Sequence, residues 1–148
     1  MHTSGLGPGS VEWLGTHYRT WLSATDSDGG ISVVESVSPP DCGPPCHIHD
    51  DADETFLLMS GDCEFWLEGE RFFRSPGQAV FIPRGREHSF RVVGRLPGRH
   101  LIVLTPGGFE GFFAAMAAGG HAIPGDMEEI GRIAADFHLR FTGPPLAD

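Results

Sequence analysis

Apolar and polar residues alternate in short runs along most of the chain, and clusters of Gly, Pro, Asp and Ser separate the runs. Alternation with a period of two is typical of strands that bury one face, and the clusters between them indicate turns. About eight short strands at this spacing predict an all-β fold, either a closed barrel or a two-sheet jelly roll. The predicted strands are 16–23, 31–37, 55–60, 63–68, 71–74, 79–83, 88–93 and 101–105.

The C-terminal third has a helical period instead. Apolar residues recur from Phe109 to Met116 at intervals of three and four, and two glycines follow at 119 and 120. A second helix is predicted over 127–137, with Asp126 as its N-cap and Glu129 completing a capping box. We expect both short helices to pack on the barrel. The chain then divides into a flexible N-terminus (1–10), a β-barrel (11–106) and a C-terminal helical extension (107–148).

The composition is that of one domain with an acidic surface. The 148 residues, 40% of them hydrophobic, are enough for a single core. A formal charge of −10 would repel a phosphate backbone, so nucleic acid is not an expected partner. No apolar stretch approaches the ~20 residues that span a bilayer, and the first residues lack the pattern of a signal peptide. We therefore expect no membrane partner and a cytoplasmic location.

The three cysteines, an odd number, do not indicate a disulfide framework. Cys42 and Cys46 precede His47 and His49, which raises the alternative of a structural zinc knuckle. Such a site usually separates two ligand pairs by about a dozen residues, and on a strand Cys46 would face away from His47. The knuckle is therefore disfavoured.

Four residues have the pattern of a metal site. His47 and His49 project from the same face of a strand with Cα atoms ~6.6 Å apart, which suits two imidazoles that converge on one ion. Glu54 has the wrong parity for that strand, so its approach requires a turn or bulge over residues 50–53. His88 begins a separate strand after a corner of Pro and Gly that would aim its ring inward.

Three imidazoles and one carboxylate suit one divalent ion of iron, nickel, manganese, cobalt, copper or zinc, and leave coordination positions open. The alternative is that the four residues are independent and face solvent or pack separately. A Glu54 that faced an apolar interior without a partner would cost several kcal/mol, on the order of 5, or be forced neutral. A calcium loop that starts at Asp50 is excluded, because Thr55 and Gly61 stand where Gly and Glu are required.

These residues resemble the two motifs of the cupin family. Asp41 and Val92 depart from the family pattern, which usually has Gly and Asn there, but neither is a ligand position in the family. The resemblance implies a cupin β-barrel, also called a double-stranded β-helix or jelly roll, with one metal ion bound by His47, His49, Glu54 and His88. The matching segments are His47-x-His49-x4-Glu54-x6-Gly61 and Gly77-x5-Pro83-x-Gly85-x2-His88.

Within the family, the chain resembles the single-domain bacterial quercetin dioxygenase-like group. The segments that carry this looser match are Asp28-Gly29-Gly30, Gly43-Pro44-Pro45-x-His47 and Thr105-Pro106-Gly107-Gly108-Phe109-Glu110. The resemblance implies that Glu54 is both a metal ligand and the catalytic base that takes the hydroxyl proton of a flavonol.

Three functions follow as hypotheses. The leading one is a metal-dependent dioxygenase, an oxidoreductase, acting on an aromatic or flavonol-like hydroxy-ketone with Glu54 as base. The second is a non-redox isomerase, lyase or polyketide-cyclase-like monocupin in which the ion serves only as a Lewis acid. The third is a binding or sensing module without turnover, which the fold alone does not exclude. Oxygen uptake, oxygen-independent conversion and ligand retention distinguish them.

The expected partner is a small aromatic substrate. Phe56, Leu58, Phe90 and Val92 share the faces of Glu54 and His88 by period two, so they either line an apolar substrate pocket or fill the core. A homodimer through an outer sheet edge would fit the resemblance. Four further histidines have no motif partners and are interpreted as surface or packing residues: His17, His100, His121 and His138. Of these, His100 is the one most open to another role.

Overall fold

Two antiparallel sheets face each other in the computed structural model, which describes residues 6–147. The strands of the described chain are β1 (Val11–Trp13), β2 (Thr16–Leu22), β3 (Ser32–Ser38), β4 (Pro45–His49), β5 (Asp53–Ser60), β6 (Asp62–Leu67), β7 (Glu70–Arg74), β8 (Ala79–Ile82), β9 (His88–Val93), β10 (Gly98–Thr105) and β11 (Leu139–Pro145). The first sheet has the order β1-β2-β3-β10-β5-β8, and the second β11-β4-β9-β6-β7. This arrangement confirms the predicted all-β jelly-roll barrel.

The alternation read from the sequence is present in the strands. In β10 every second residue is buried, and these residues face the space between the sheets. The core is built mainly from such positions of both sheets, with Phe56 and Phe65 among its largest fully buried side chains. Burying one such ring contributes roughly 2 kcal/mol, so the alternation fixes which face of each strand turns inward. Each of the eight predicted strands is present with its ends shifted by at most three residues.

The turn at Gly61 moves the chain from one sheet to the other. β5 belongs to the first sheet and β6 to the second, although only this residue separates them. Gly61 has φ +76°, and a Cβ atom there would lie 2.3 Å from the carbonyl oxygen of Pro97. A side chain is therefore excluded both by the backbone conformation and by the neighbouring loop.

Two short helices follow the barrel strands, as predicted. Helix α1 (Glu110–Gly119) buries Phe112 and Met116, and helix α2 (Met127–Ala135) buries Ile130 and Ala134. The predicted capping box is wrong, because neither side chain caps α2. The Asp126 carboxylate accepts a hydrogen bond from the backbone N–H of Ala122, and the Glu129 carboxylate pairs with the guanidinium of Arg132. No helix within residues 6–147 is both long and apolar enough to cross a membrane.

The C-terminal segment is not purely helical, which corrects the prediction for 107–148. Leu139–Pro145 forms β11, which pairs with β4 and so extends the second sheet. A strand that contains consecutive prolines is tolerated here because β11 lies at the edge of its sheet. β1 is likewise absent from the predicted strands. Of the N-terminus predicted to be flexible, residues 1–5 lie outside the described part, and Leu6 is buried.

Candidate metal centre

His47 and His49 lie on β4, and His88 begins β9, the neighbouring strand. Both rings of β4 are buried, and His47 is the Cα partner of His88 in the antiparallel register. The Nδ1–H of His47 donates to the carbonyl of Pro45 at 2.8 Å, and that of His88 donates to the carbonyl of Arg86 at 3.0 Å. These bonds orient both rings and leave their Nε2 atoms directed at the interior.

Glu54 reaches the same point from the opposite sheet. The chain leaves β4 after His49, crosses between the sheets, and enters β5 at Asp53. Glu54 therefore reaches the histidines because the chain changes sheets, and not because of a bulge within one strand. The carboxylate is buried; its Oε1 lies 2.9 Å from Nε2 of His88 and 3.4 Å from Nε2 of His49. Asp53 anchors the start of β5 by accepting hydrogen bonds from Arg84.

The electrostatics of the cluster keep Glu54 and His47 in the protonation states that metals require. Burial raises the pKa of the Glu54 carboxyl, but His49 and His88 beside it outweigh that effect and hold this pKa well below its usual range. Burial, together with the neighbouring imidazoles, lowers the pKa of His47 well below its usual range. At neutral pH the cluster therefore offers an ionised carboxylate and a neutral His47 imidazole.

The donor set fits a divalent transition ion. One ligand atom from each of His47, His49, Glu54 and His88 lies within 4.8 Å of the other three, and all four residues are buried. Imidazole nitrogen with one carboxylate oxygen suits first-row divalent metals. Four protein ligands leave room for further ligands only on the side that faces a cavity.

Such a cavity adjoins the cluster. Its volume is about 360 Å³, and His47, His49 and Glu54 contribute to its wall, whereas His88 is not among the residues that line it. Most of the remaining wall is apolar and aromatic, as in typical small-molecule sites. Aromatic residues of the wall include Trp13, Phe56, Phe90, Phe109, Phe112 and Phe141.

Two of the four residues predicted to share an apolar pocket line this cavity, and two do not. Phe56 and Phe90 line the cavity, as expected for residues that share the inward faces of β5 and β9. Leu58 and Val92 also point inward, with 3% and 0% of their surface exposed, but they pack in the core and do not line the cavity. A two-residue period predicts on which face of a strand a side chain lies, but not how far along the barrel axis it lies.

The candidate ligands His47, His49, Glu54 and His88, called the metal cluster below, are partly covered by residues that follow β10. The ring of Phe109, just before α1, meets His49 edge to face at 4.5 Å between centroids. Phe141 of β11 lies 6.3 Å from His47 on the other side. Apolar rings on both sides exclude water from the histidines, which strengthens the electrostatic interactions within the cluster. The sequence analysis placed Phe109 at the start of the helical period and assigned no role to Phe141.

The sequence analysis missed a group of hydroxyl-bearing residues that line the same cavity: Thr16, Tyr18, Ser36 and Ser38. Period two in β2 and β3 was a signal for them, because it places all four on the inward faces of two paired strands. Small polar side chains in strands usually indicate a solvent-facing side, so their burial could not be recognised without the sheet order.

His17, His100, His121 and His138, the histidines outside the motifs that the structure describes, differ in their surroundings. His100 is buried and packs against the rings of Phe56 and Phe90, and no hydrogen-bond partner lies near either of its ring nitrogens in the described chain. Burial lowers the pKa of His100 to about 4. His138 is exposed, as expected, and lies 3.6 Å from a carboxylate oxygen of Asp51. His17 and His121 are half-buried.

The structure combines a two-sheet barrel with three histidines and one glutamate that converge beside an apolar cavity. This combination is typical of small barrel proteins that bind a metal ion. The comparisons with known proteins agree with this class. Residues 33–104 match the family model of the cupin domain, and many solved cupin structures share the fold. Over this segment, just under half of its length, the chain is similar to the cupin domain.

Three known proteins illustrate the similarity. The chain is 29% identical over 115 residues, 76% of its length, to quercetin 2,3-dioxygenase of Bacillus subtilis (strain 168), and spans 34% of that protein. The cupin domain of Cnp3 from Schizosaccharomyces pombe has a TM-score of 0.61 at 13% identity, covering 84% of both chains. The polyketide cyclase RemF from Streptomyces resistomycificus has a TM-score of 0.55 at 25% identity, covering 68% of this chain and 69% of that one.

Proposed function

We propose that the protein is a metal-dependent dioxygenase that acts on an aromatic hydroxy-ketone of the flavonol type. The observation that carries the proposal is the position of Glu54, a buried carboxylate that lies between two imidazoles and lines an aromatic cavity. A carboxylate in this place can bind an ion and accept a proton from a substrate held in the cavity.

The ion would be held by His47, His49, Glu54 and His88. When bound, an iron, nickel, manganese, cobalt or copper ion supplies Lewis acidity and a route for electron transfer to dioxygen. The backbone carbonyls that accept from His47 and His88 fix the orientation of these two rings.

Glu54 acts as the proton acceptor. The histidines beside it hold its pKa well below the usual range, so the carboxyl group is ionised at neutral pH. Glu54 also lines the cavity, where a substrate hydroxyl would be placed. A positioned carboxylate of this kind contributes roughly 10²-fold to 10⁴-fold in rate.

The cavity walls favour a flat aromatic ligand. Phe56 and Phe90 line the cavity on the barrel side, and Phe109 lies against His49 on the helical side. Aromatic rings bind other rings through stacked and edge-to-face contacts, and they exclude bulk water from the proton-transfer step. The similarity to the Bacillus dioxygenase supports this class of substrate.

A second candidate is a non-redox cyclase or isomerase. The similarity to the polyketide cyclase RemF, which extends over about two thirds of each chain, favours this alternative. The same residues would then hold a redox-inert ion such as zinc, and Glu54 would transfer protons without dioxygen.

The deciding experiment combines metal content with oxygen uptake. Untagged protein purified without added metal is assayed by mass spectrometry, and oxygen consumption is followed with quercetin. We expect near one equivalent of a redox-active metal and consumption of one dioxygen per quercetin. Glu54→Gln should lower the rate by at least about 10²-fold, while Glu70→Gln, at an exposed position of β7, should not change it.

Other outcomes would contradict the proposal. Conversion of a hydroxy-ketone without oxygen uptake, by protein that holds zinc, would favour the cyclase or isomerase. Tight retention of quercetin with neither reaction would favour a binding module. Full oxygen uptake by Glu54→Gln would remove Glu54 from the mechanism.

A further inference from the structure

One side of the cavity carries a row of hydroxyl groups. Thr16 and Tyr18 of β2 and Ser36 and Ser38 of β3 all line it, and we call these four residues the hydroxyl wall. Apart from this wall, Asp41 and the metal-cluster residues, the side chains that line the cavity within the described chain are apolar or Cys42. The cavity therefore has two polar regions in an otherwise apolar space.

The hydroxyl wall is a contiguous surface fixed by strand pairing. Tyr18 and Ser36 are direct partners in the register of β2 and β3. The side-chain oxygens of Thr16 and Ser38 lie 3.0 Å apart and share a hydrogen bond. Ser36 and Ser38 are only 2% and 4% exposed, so the space that their hydroxyls meet is the interior of the barrel.

Tyr18 is placed to act as a hydrogen-bond donor. Its ring stacks on Phe113 with 4.0 Å between centroids, which fixes the direction of the phenol. Burial raises the pKa of Tyr18 and outweighs a side-chain hydrogen bond with Thr16, which lowers it; the Glu54 carboxylate adds to the rise, so the hydroxyl keeps its proton. A neutral phenol beside a cavity donates to carbonyl or hydroxyl oxygens.

His100 has unused hydrogen-bonding capacity next to the hydroxyl wall, although it is not among the residues that line the cavity. His100 of β10 is the register partner of Ser36, and its ring lies directly behind Phe56 and Phe90. Neither nitrogen of this buried ring has a partner within residues 6–147. Because buried polar groups are costly without partners, a polar imidazole beside the hydroxyl wall indicates a region built for polar contacts.

We infer that the hydroxyl wall is a second recognition site, which binds oxygen atoms of the substrate remote from the hydroxy-ketone at the metal. The inference rests on the proposed function, since that places the hydroxy-ketone at the His/Glu cluster. Tyr18 and Ser36 are the specificity-determining residues. The substrate class is thereby narrowed to aromatic hydroxy-ketones that carry additional hydroxyl or carbonyl groups away from the metal-binding oxygens.

The test compares two flavonols that share the metal-binding group. Quercetin and 3-hydroxyflavone both carry the hydroxy-ketone, but only quercetin has hydroxyls elsewhere on its rings. Their dissociation constants are measured without oxygen by quenching of tryptophan fluorescence, since Trp13 lines the cavity. Each titration is run with protein as purified and after metal removal, so that the result does not depend on turnover.

We expect the wild type to bind quercetin more tightly than 3-hydroxyflavone. Ser36→Ala and Tyr18→Phe should each weaken quercetin binding by about tenfold, because each removes one buried hydrogen bond. The same variants should change 3-hydroxyflavone binding by less than about twofold. Ser75→Ala, which removes an exposed hydroxyl in a turn, is the matched control and should change neither.

The inference is overturned if the wild type shows no preference for quercetin, or if both variants weaken the two flavonols equally. Unfolding midpoints establish whether the variants fold. Tyr18→Phe keeps the ring that stacks on Phe113, so this variant is sufficient for the test if Ser36→Ala does not fold. The proposed function fails separately. Quercetin binding that depends on Tyr18 and Ser36, without oxygen uptake, would refute the dioxygenase proposal and support the role of the hydroxyl wall. Oxygen uptake with equal binding of both flavonols would support the dioxygenase proposal and refute the role of the hydroxyl wall.

Discussion

His100 makes the barrel sensitive to acid, and replacing it by leucine should remove that sensitivity. The ring is 1% exposed, and neither of its nitrogens is hydrogen-bonded within the described chain. Its neighbours are the rings of Phe56 and Phe90, which offer nothing to stabilise a positive charge beyond the faces of their π-systems. A protonated His100 is therefore strongly disfavoured in the folded state.

The size of the effect follows from the pKa of His100, which burial lowers from 6.5 to about 4. Above pH 6.5 the ring is neutral in both states and makes no pH-dependent contribution. As the pH falls from there towards 4, the unfolded chain binds a proton that the folded protein excludes, and stability is lost. The loss amounts to about 2 kcal/mol by pH 5 and about 3 kcal/mol once both states are protonated.

The assay is urea unfolding of metal-free protein at pH 5, 6, 7 and 8. His100→Leu should gain stability relative to the wild type by about 2 kcal/mol between pH 7 and pH 5, with an unchanged dependence on urea. His100→Gln, polar but not titratable, should show the same pH-dependent gain. His138→Asn, at an exposed position with φ +58°, is the control and should follow the wild type. A constant difference between His100→Leu and the wild type at every pH would refute the reasoning.

Two further predictions concern the metal cluster and the sheet-changing turn. Glu54→Gln and His88→Ala should each reduce bound metal by at least about tenfold, measured by mass spectrometry; metal held as tightly as in the wild type would show that the ligand set is wrong. Gly61→Ala should destabilise the protein by about 2 kcal/mol more than Gly77→Ala in urea unfolding. Both glycines have positive φ, but only at 61 would a Cβ meet backbone, at Pro97; equal losses would contradict this.

The parts of the structure that depend on local spacing could be predicted from the sequence. The period of two gave the strands, and the single residue between His47 and His49 gave their shared face. The helical period gave α1 and α2. In each case the information lies within a few residues along the chain, which is the range over which backbone geometry determines side-chain direction.

The parts that depend on which strands become neighbours could not be predicted. The crossing between sheets that brings Glu54 to the histidines is a property of topology, and β11 was hidden because its prolines resemble a loop. The inward hydroxyls of Ser36 and Tyr18 have the pattern of a solvent-facing strand side, and only the second sheet turns that side into a cavity wall. Leu58 was correctly predicted to face inward, but it packs in the core instead of lining the cavity.

Along the chain, the candidate metal ligands are separate from much of the cavity wall. All four residues of the metal cluster lie within residues 33–104, the segment that matches the cupin domain. Tyr18 precedes that segment, and Phe109 and Phe141, which cover the cluster, follow it. Similarity over the shared segment therefore extends to the cluster, whereas the shape and polarity of much of the cavity depend on residues outside it. Under the proposed function, replacing Tyr18 or Phe109 should therefore alter ligand preference while leaving metal content unchanged.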